Sequence, residues 1–329
     1  MACLKTSYLG LDLKNPLVAS SSPLTNDVES VAKLEQCGVA AVVLRSIFEE
    51  QIAADVSDMY AALEGDTSAA ALEYLRADLP GQLGPESYLD KIADLRRRVK
   101  IPVIASVNCV EASKWVNYAK KIEHAGASAL ELNLYHMPVN PDETSDKVEA
   151  RQVALVKAVL AEVRLPVAVK LSQHYTALLP FARMLDAVGV KGLVFFNRFL
   201  QTDVDPASEA MFYAPNYSSP KVLHSQLRWT AIVRSWVRCS MAVSGGIHSS
   251  GELVKALLVG ADVGYICSAL YVREDFGVIQ EILDGLSAWM DRKGYPSLDT
   301  FRGKLREKDL TDGVGFERSQ YVKTATHVV

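Results

Sequence analysis

The chain has 329 residues, 49% of them hydrophobic and 22% charged, and it carries a formal net charge of −4. A chain of this size and apolar content buries a large core without metals or disulfides. Its slightly acidic balance argues against nucleic acid and an anionic membrane surface as partners. We find no secretory leader and no apolar run of the about 18 residues that a membrane helix needs. We therefore expect a cytoplasmic protein that acts on a small-molecule substrate.

The five cysteines are scattered along the chain, and none forms a C-x-x-C pair. This spacing fits neither a zinc site nor an iron–sulfur cluster, so we expect reduced thiols. Histidines and carboxylates do not converge at metal-ligand spacing either. The sequence therefore predicts a protein without a metal site.

Short β-rich runs alternate with amphipathic helical patterns along the chain. The clearest helical patterns cover residues 112–125, 147–163 and 250–259. Recurring strand–helix units are typical of a parallel α/β barrel, which closes with about eight strands. The predicted strands begin near Leu17, Ala41, Pro102, Ala129, Pro166, Gly192, Met241 and Val263.

Glycines mark the ends of several predicted helices. A helix C-cap commonly needs a positive φ, which glycine adopts without steric cost. The glycines at these places are Gly38, Gly126, Gly189 and Gly260. No linker-like or low-complexity stretch divides the chain. We therefore predict a single α/β domain over residues 1–329, a (β/α)8 TIM barrel with a C-terminal tail from about residue 306.

Polar residues stand where several apolar runs end. Asn108, Asn133, Lys170 and Asn197 each end a predicted strand, and the triplet Ser244-Gly245-Gly246 ends another. The carboxyl ends of parallel strands meet at one mouth of a barrel, where such folds carry their active sites. Amide groups offer both a donor and an acceptor, and glycine lets the backbone approach a phosphate closely. The pattern predicts a flat, anionic ligand across this mouth.

Long segments follow some of the predicted strands, at residues 47–100, 135–146 and 198–224. They rise from the same face of the barrel, where long loops commonly form lids or substrate walls. We therefore expect a covered pocket.

These segments together resemble the dihydroorotate dehydrogenase family of FMN-dependent barrels, in particular its soluble class-1 branch. The order and spacing of the matching pieces carry the resemblance, because Ser-Gly-Gly-Ile alone recurs in many phosphate-binding barrels. The pieces are KTSYLGLDLKNPLVASSSP, ALELNLYHMP, PVAVKLS, FFNRF, VSGGIHSSGELVKALLVGADVGYICSAL and GYPSLDTFRGKL.

The resemblance implies a non-covalently bound FMN. It implies oxidation of dihydroorotate to orotate, a step of pyrimidine biosynthesis, or of a related C–C bond beside a carbonyl. It also implies a homodimer. The electron acceptor stays open among fumarate, a partner subunit that passes electrons to nicotinamide, and quinone. We expect no quinone at a membrane, because the sequence lacks the N-terminal helical extension of that branch.

The resemblance also assigns residues around the flavin ring. Ala19 and Ser20 would pass beneath it, and Arg45 stands where the family usually has a lysine beside the pyrimidine edge. Lys170 would face the N1 and C2 carbonyl region, where a buried cation stabilises negative charge on the ring. Lys170 and Arg45 are thus predicted to act as electrostatic partners of the reaction.

Amides and a phosphate cradle complete the implied site. Asn108, Asn133 and Asn197 would contact the edge of the ring or of a planar substrate. Cys267 stands where the family commonly has glycine. The cradle would consist of the backbone around Ser244, Gly245, Gly246, Cys267 and Ser268.

The family's catalytic base, a cysteine or a serine, is replaced here by His136. A histidine has an unperturbed pKa of about 6.5 and accepts a proton near neutral pH. We therefore predict His136 as the catalytic acid/base.

A second departure concerns the loop that grips orotate in the family. The corresponding segment reads LRADLPGQLGPESYLD, with Leu75, Ala77 and Asp78 in place of Asn, Met and Gly. Arg76, Arg45 or Arg198 could pair with a substrate carboxylate instead. The sequence therefore leaves the substrate open between dihydroorotate and a related compound.

Two other interpretations use the same residues. A flavin-independent lyase or isomerase would bind a substrate phosphate at the Ser-Gly-Gly turn and use Lys170 as a Schiff base. A non-catalytic flavin-binding subunit would hold a partner with the tail from Arg306 to Val329. His174, on the same loop as Lys170, could face the pocket. The absence of flavin colour would favour the lyase or isomerase.

Overall fold

The computed structural model describes residues 2–48, 84–108, 112–134, 136–198, 201–214, 217–273 and 275–307. Two groups of predicted residues lie outside these ranges. They are the segment with Leu75, Arg76, Ala77 and Asp78, and most of the C-terminal tail.

Eight parallel strands close into a barrel, which confirms the predicted (β/α)8 fold. Each of the eight begins within one residue of its predicted start. The described strands are β1 (Thr6–Tyr8), β2 (Leu11–Leu13), β3 (Leu17–Ala19), β4 (Ala41–Val43), β5 (Ile47–Phe48), β6 (Val103–Asn108), β7 (Ala129–Asn133), β8 (Val167–Leu171), β9 (Gly192–Phe195), β10 (Gln201–Asp205), β11 (Ala210–Ala214), β12 (Ser240–Ser244) and β13 (Val263–Ile266).

The barrel runs in the order β3, β4, β6, β7, β8, β9, β12 and β13, and β13 pairs back with β3. The other strands are short additions. β1 and β2 form an antiparallel hairpin, as do β10 and β11, and β5 pairs with the carboxyl end of β6.

Helices connect the strands and cover the outside of the barrel. The positive φ predicted at the helix ends is observed at Gly38, where φ is 116° and the N–H donates to the Glu35 carbonyl at 3.0 Å. None of the described helices is long and apolar enough to cross a bilayer. The described α-helices are α1 (Val28–Cys37), α2 (Pro85–Arg98), α3 (Ala112–His124), α4 (Ser145–Glu162), α5 (Leu178–Ala187), α6 (Leu223–Arg234), α7 (Ser250–Leu258), α8 (Ser268–Val272) and α9 (Gly277–Lys293).

Side chains alternate along each barrel strand between the helix-facing core and the barrel interior. The hairpin β1–β2 closes the amino-terminal end of the interior with buried Tyr8, Leu9 and Leu13, and the Leu9 N–H donates to Ser240 Oγ at 3.1 Å. Above it lies an apolar layer. Its strand members are Val18, Ala41, Val43, Ile104, Ala129, Ala168, Val194, Ala242 and Val263. Residues two or four positions further along these strands therefore also point into the barrel.

Candidate functional site

The barrel interior becomes polar above the apolar layer. Counting by two along β6, β7 and β8 leads to Ser106, Asn108, Glu131, Asn133 and Lys170, all of them buried. The strand register pairs Asn108 with Asn133, and Asn133 with Lys170. Three predicted site residues thus lie side by side on adjacent strands.

A cavity of about 330 Å³, here called the mouth cavity, opens at the carboxyl ends of the strands. Seven residues that the sequence predicted as a site line it, namely Ser20, Lys170, Asn197, Ser244, Gly245, Cys267 and Ser268. The other described lining residues are Ser21, Gln173, His174, Phe196, Arg198, Ser218, Val222 and Gln226.

One end of the mouth cavity is built from hydroxyls and backbone amides. Ser218 Oγ donates to Ser268 Oγ at 3.0 Å and accepts from the Gly246 N–H at 3.1 Å. The Ser218 N–H also donates to Ser268 Oγ, at 2.9 Å. His248 Nε2 donates to the Ser218 carbonyl at 2.7 Å, which fixes the segment before α6 against the turn after β12. Such a cluster of neutral donors suits a phosphate group.

Gln226 on α6 reaches the same wall. Its Nε2 donates to the Ser244 carbonyl at 3.2 Å, while its Oε1 is buried without a hydrogen-bond partner among the described residues. A buried acceptor without a partner costs about 1–3 kcal/mol. A hydroxyl or N–H of a bound ligand would satisfy it.

Lys170 is a buried cation at the wall of the mouth cavity, and its side chain is 7% exposed. Its ammonium lies 3.7 Å from Oε1 of Glu131 and 5.9 Å from the centre of the Tyr265 ring. Burial raises the pKa of the Glu131 carboxyl, and the charge of Lys170 opposes that shift. The ammonium therefore has a carboxylate below it and open space beside it.

Cys267 borders the mouth cavity at the start of α8. Burial raises the pKa of its thiol, although the nearby Lys170 acts in the opposite direction. The thiol is thus a neutral wall group at neutral pH.

Several predicted residues lie in the described part of the chain but do not border the mouth cavity. Asn133 is buried one strand away from it and Asn108 two strands away, and Asn133 Oδ1 has no hydrogen-bond partner in the described part of the chain. Ala19 packs its side chain in the helix-facing core, which leaves its backbone for the site. Arg45 is half-buried after β4. Burial chiefly lowers the pKa of Lys91 on α2, and the charge of Arg45 lowers it further.

His136 lies in a second cavity of about 240 Å³, here called the side cavity, between the loop after β7 and the loop after β8. Its Nε2 is 3.1 Å from Nη2 of Arg151 and 3.4 Å from Oε2 of Glu143, and Arg151 and Glu143 form an ion pair. Nε2 either accepts from the guanidinium or donates to the carboxylate. The imidazole therefore pairs with Arg151 when Nε2 carries no hydrogen, and with Glu143 when it does.

His174 borders both the mouth cavity and the side cavity. It follows β8 on the loop whose first turn is fixed by the His174 N–H donating to Ser172 Oγ at 2.8 Å. His136 and His174 therefore share the side cavity, and His174 stands where the two cavities meet.

The sequence did not single out Ser218, Val222 and Gln226, although Ser218 and Val222 belong to the segment 198–224 that it predicted as a lid or substrate wall. These residues come from the segment before α6 and from α6 itself, which carry no strand pattern. Phe196 could have been found, since it lies two residues beyond the interior residue Val194.

The turn after β12 requires glycine at position 246. Its φ is +80°, and an added Cβ would lie 3.0 Å from the Leu223 backbone nitrogen. We expect Gly246→Ala to lower the free energy of unfolding by about 2–3 kcal/mol, through backbone strain and crowding together. Urea unfolding measures this. Gly294→Ala is the matched control, because φ is +71° there and no heavy atom lies within 4 Å of an added Cβ. An equal loss of unfolding free energy in the two variants would mean that crowding at position 246 adds nothing to the backbone strain.

The fold and the mouth cavity define a class of protein, the (β/α)8 barrels that bind a ligand at the carboxyl ends of their strands. The chain belongs to the dihydroorotate dehydrogenase family, whose model, described as dihydroorotate dehydrogenase, matches residues 3–290. This confirms the resemblance found in the sequence.

Curated relatives extend over nearly the same length. A dihydroorotate dehydrogenase A (fumarate) of Lactobacillus delbrueckii subsp. bulgaricus is 25% identical over 304 residues, covering 90% of this chain and 96% of the relative. A dihydroorotate dehydrogenase B (NAD(+)), catalytic subunit, of Thermoplasma acidophilum is 25% identical over 315 residues, covering 92% and 99%. A putative dihydroorotate dehydrogenase A (fumarate) of Aeropyrum pernix is 25% identical over 306 residues. The chain is thus a divergent member of the family.

Proposed function

We propose that the protein is an FMN-dependent oxidoreductase that oxidises dihydroorotate to orotate, or a related C–C bond beside a carbonyl. The observation that carries the proposal is the mouth cavity, in which one buried lysine and a cluster of hydroxyls and amides border the same space. The named relatives support the choice of substrate.

The residues around the mouth cavity fit FMN. Ser218, Ser268 and the turn at Gly245 and Gly246 place hydroxyls and amides at this wall, and a phosphate would accept from them in place of their mutual hydrogen bonds. The unpartnered Oε1 of Gln226 offers an acceptor to a hydroxyl of the ribityl chain. The cofactor, when bound, supplies the two-electron acceptor of the reaction. A lysine ammonium stabilises negative charge on such a ring.

The predicted assignments form part of the proposal. Lys170 and Arg45 would balance negative charge, and Ala19 and Ser20 would line the path of the ring. Asn108, Asn133 and Asn197 would bind its edge or the substrate. The buried, unpartnered Oδ1 of Asn133 supports this role, because it leaves an acceptor for an N–H of a ligand.

His136 is the proposed acid/base. Glu143 is placed to accept the Nε2–H of the ring, which would leave Nδ1 free to accept a proton. His174, between the two cavities, would position the substrate next to it. We also propose that the chain is one domain and forms a homodimer.

The absorption spectrum of the purified protein tests the proposal first. We expect the visible bands of an oxidised flavin, and their bleaching when dihydroorotate is added without oxygen. Flavin that does not bleach with dihydroorotate but does with another dihydropyrimidine or enoate would change the substrate. A protein without flavin would contradict the proposal and favour the lyase or isomerase with Lys170 as Schiff base.

The electron acceptor is tested by reoxidation. Some relatives are named for fumarate, and others are named as the catalytic subunit of an NAD(+) enzyme. We expect fumarate to reoxidise the bleached protein without a second protein, as the name of the Lactobacillus delbrueckii relative suggests. Reoxidation by NAD(+) only after addition of a second protein would point to a partner subunit.

A further inference from the structure

A chain of buried polar groups runs from the closed end of the barrel to the mouth cavity. Tyr8 and Tyr265 share a hydrogen bond of 2.9 Å between their hydroxyls. The Tyr265 hydroxyl donates to Oε2 of Glu131 at 3.0 Å, and Oε1 of Glu131 lies 3.7 Å from the Lys170 ammonium. Tyr8 thus donates to Tyr265, so that each hydroxyl in the chain has a partner.

Glu131 is an unusual residue for its position. It is 0% exposed, and it lies one layer above apolar interior residues, where barrels are filled by branched aliphatic side chains. Its Oε1 has no hydrogen-bond partner among the described residues, although the ammonium is close enough for strong electrostatic attraction. A buried carboxylate that is only partly paired is costly, so its presence here calls for a physical reason.

The positive charge of Lys170 can stabilise two negative charges, that of Glu131 and that of a ligand bound in the mouth cavity. Below it lies Glu131, and beside it lies the space of the mouth cavity. The more the carboxylate compensates the ammonium, the less the ammonium stabilises negative charge on a bound ligand.

We propose that Glu131 is a positioning residue, which holds Lys170 at the wall of the mouth cavity and sets how strongly its ammonium stabilises negative charge on the bound cofactor. Tyr265 and Tyr8 orient the carboxylate from below. The inference rests on the proposed function, because it requires a flavin in the mouth cavity.

Other charged or titratable groups do not replace Glu131 in this role. Tyr88 of α2 feels the charge of Glu131, but its hydroxyl is bound to Ser106, donating to the carbonyl at 3.1 Å. Burial strongly raises the pKa of Tyr8 and of Tyr265, so both phenols are neutral at neutral pH. Among the described residues, Glu131 is therefore the carboxylate that faces Lys170.

The test is the reduction potential of the bound flavin in the holoprotein. Glu131→Gln keeps the shape and an acceptor for the Tyr265 hydroxyl but removes the charge. We expect the equilibrium to favour the reduced flavin at least tenfold more than in the wild-type protein, a rise of about 30 mV for a two-electron couple. Thr230→Val is the control, since it removes a buried hydroxyl on α6 that has no partner among the described residues. It should leave the potential unchanged.

Glu131→Asp keeps the charge and withdraws it from Lys170, so a smaller rise is expected. This variant serves also if Glu131→Gln does not fold. A potential that is unchanged in the variants that fold would overturn the inference and leave the proposed function intact. If the purified wild-type protein contained no flavin, that would instead contradict the proposed function itself.

Discussion

Replacing Lys170 by methionine should lower the free energy of unfolding by about 3 kcal/mol near neutral pH. The loss of one member of a buried ion pair typically costs about 3–5 kcal/mol, and uptake of a proton by the remaining carboxyl limits the cost. Glu131 would lose the cation that now opposes the effect of burial, so its pKa would rise further. This is the largest stability effect that we expect from a single change at the site.

The pH dependence of this loss has a defined sign. Burial raises the pKa of Glu131 above its ordinary value of 4.5. The contribution of such a group to the free energy of unfolding is fully present below its pKa in the unfolded chain. It is lost as the pH rises through its pKa in the folded protein. The cost of Lys170→Met should therefore be small at about pH 5 and grow towards about pH 8.

The double variant Lys170→Met with Glu131→Gln is the matched control. Both proteins lack the lysine, so they share any loss of cofactor binding, and they differ only in the carboxylate. In urea unfolding, the double variant should be more stable than the single one at about pH 8, with a smaller gap at about pH 5. A gap that does not change with pH would mean that folding does not raise the pKa of Glu131 once Lys170 is absent.

The barrel was predictable from the sequence because its signals are local. Strand starts such as Leu17 and Ala129 follow from short apolar runs, and Gly38 ends its helix with the positive φ that the pattern requires. The hairpins were not predicted. In β1 and β2 only three residues alternate on each side of the turn at Leu9 and Gly10, which is too short a period to recognise.

The mouth cavity was predictable where it belongs to strand ends, as at Lys170 and Ser244. The role of Glu131 was not, because a single acidic residue in an apolar run has no local partner. Its hydrogen bond comes from Tyr265, 134 positions away in the sequence, and depends on how the barrel closes. Similarly, no sequence pattern near His136 indicated its contact with Arg151, which lies on α4 and binds the imidazole in the side cavity.

Replacing His136 by asparagine should lower the rate of flavin reduction by dihydroorotate by about 10²–10⁴, the usual contribution of a positioned acid/base. His136 is half-buried in the side cavity, and its Nε2 can hold a proton against Glu143. His174→Asn should cost less than about tenfold, because a positioning residue leaves the proton acceptor in place. Stopped-flow reduction without oxygen, followed over a range of pH, measures both.

His124→Asn is the control for the two variants, since His124 lies on α3 with its Nδ1 at 2.7 Å from the Lys120 carbonyl, away from both cavities. It should reduce at the wild-type rate. The opposite ranking, with a large loss in His174→Asn and a small one in His136→Asn, would move the acid/base to the junction of the two cavities. The contact between His136 and Arg151 would then be structural and His136 would take no part in the reaction. The side cavity would serve only to shape the loop after β7.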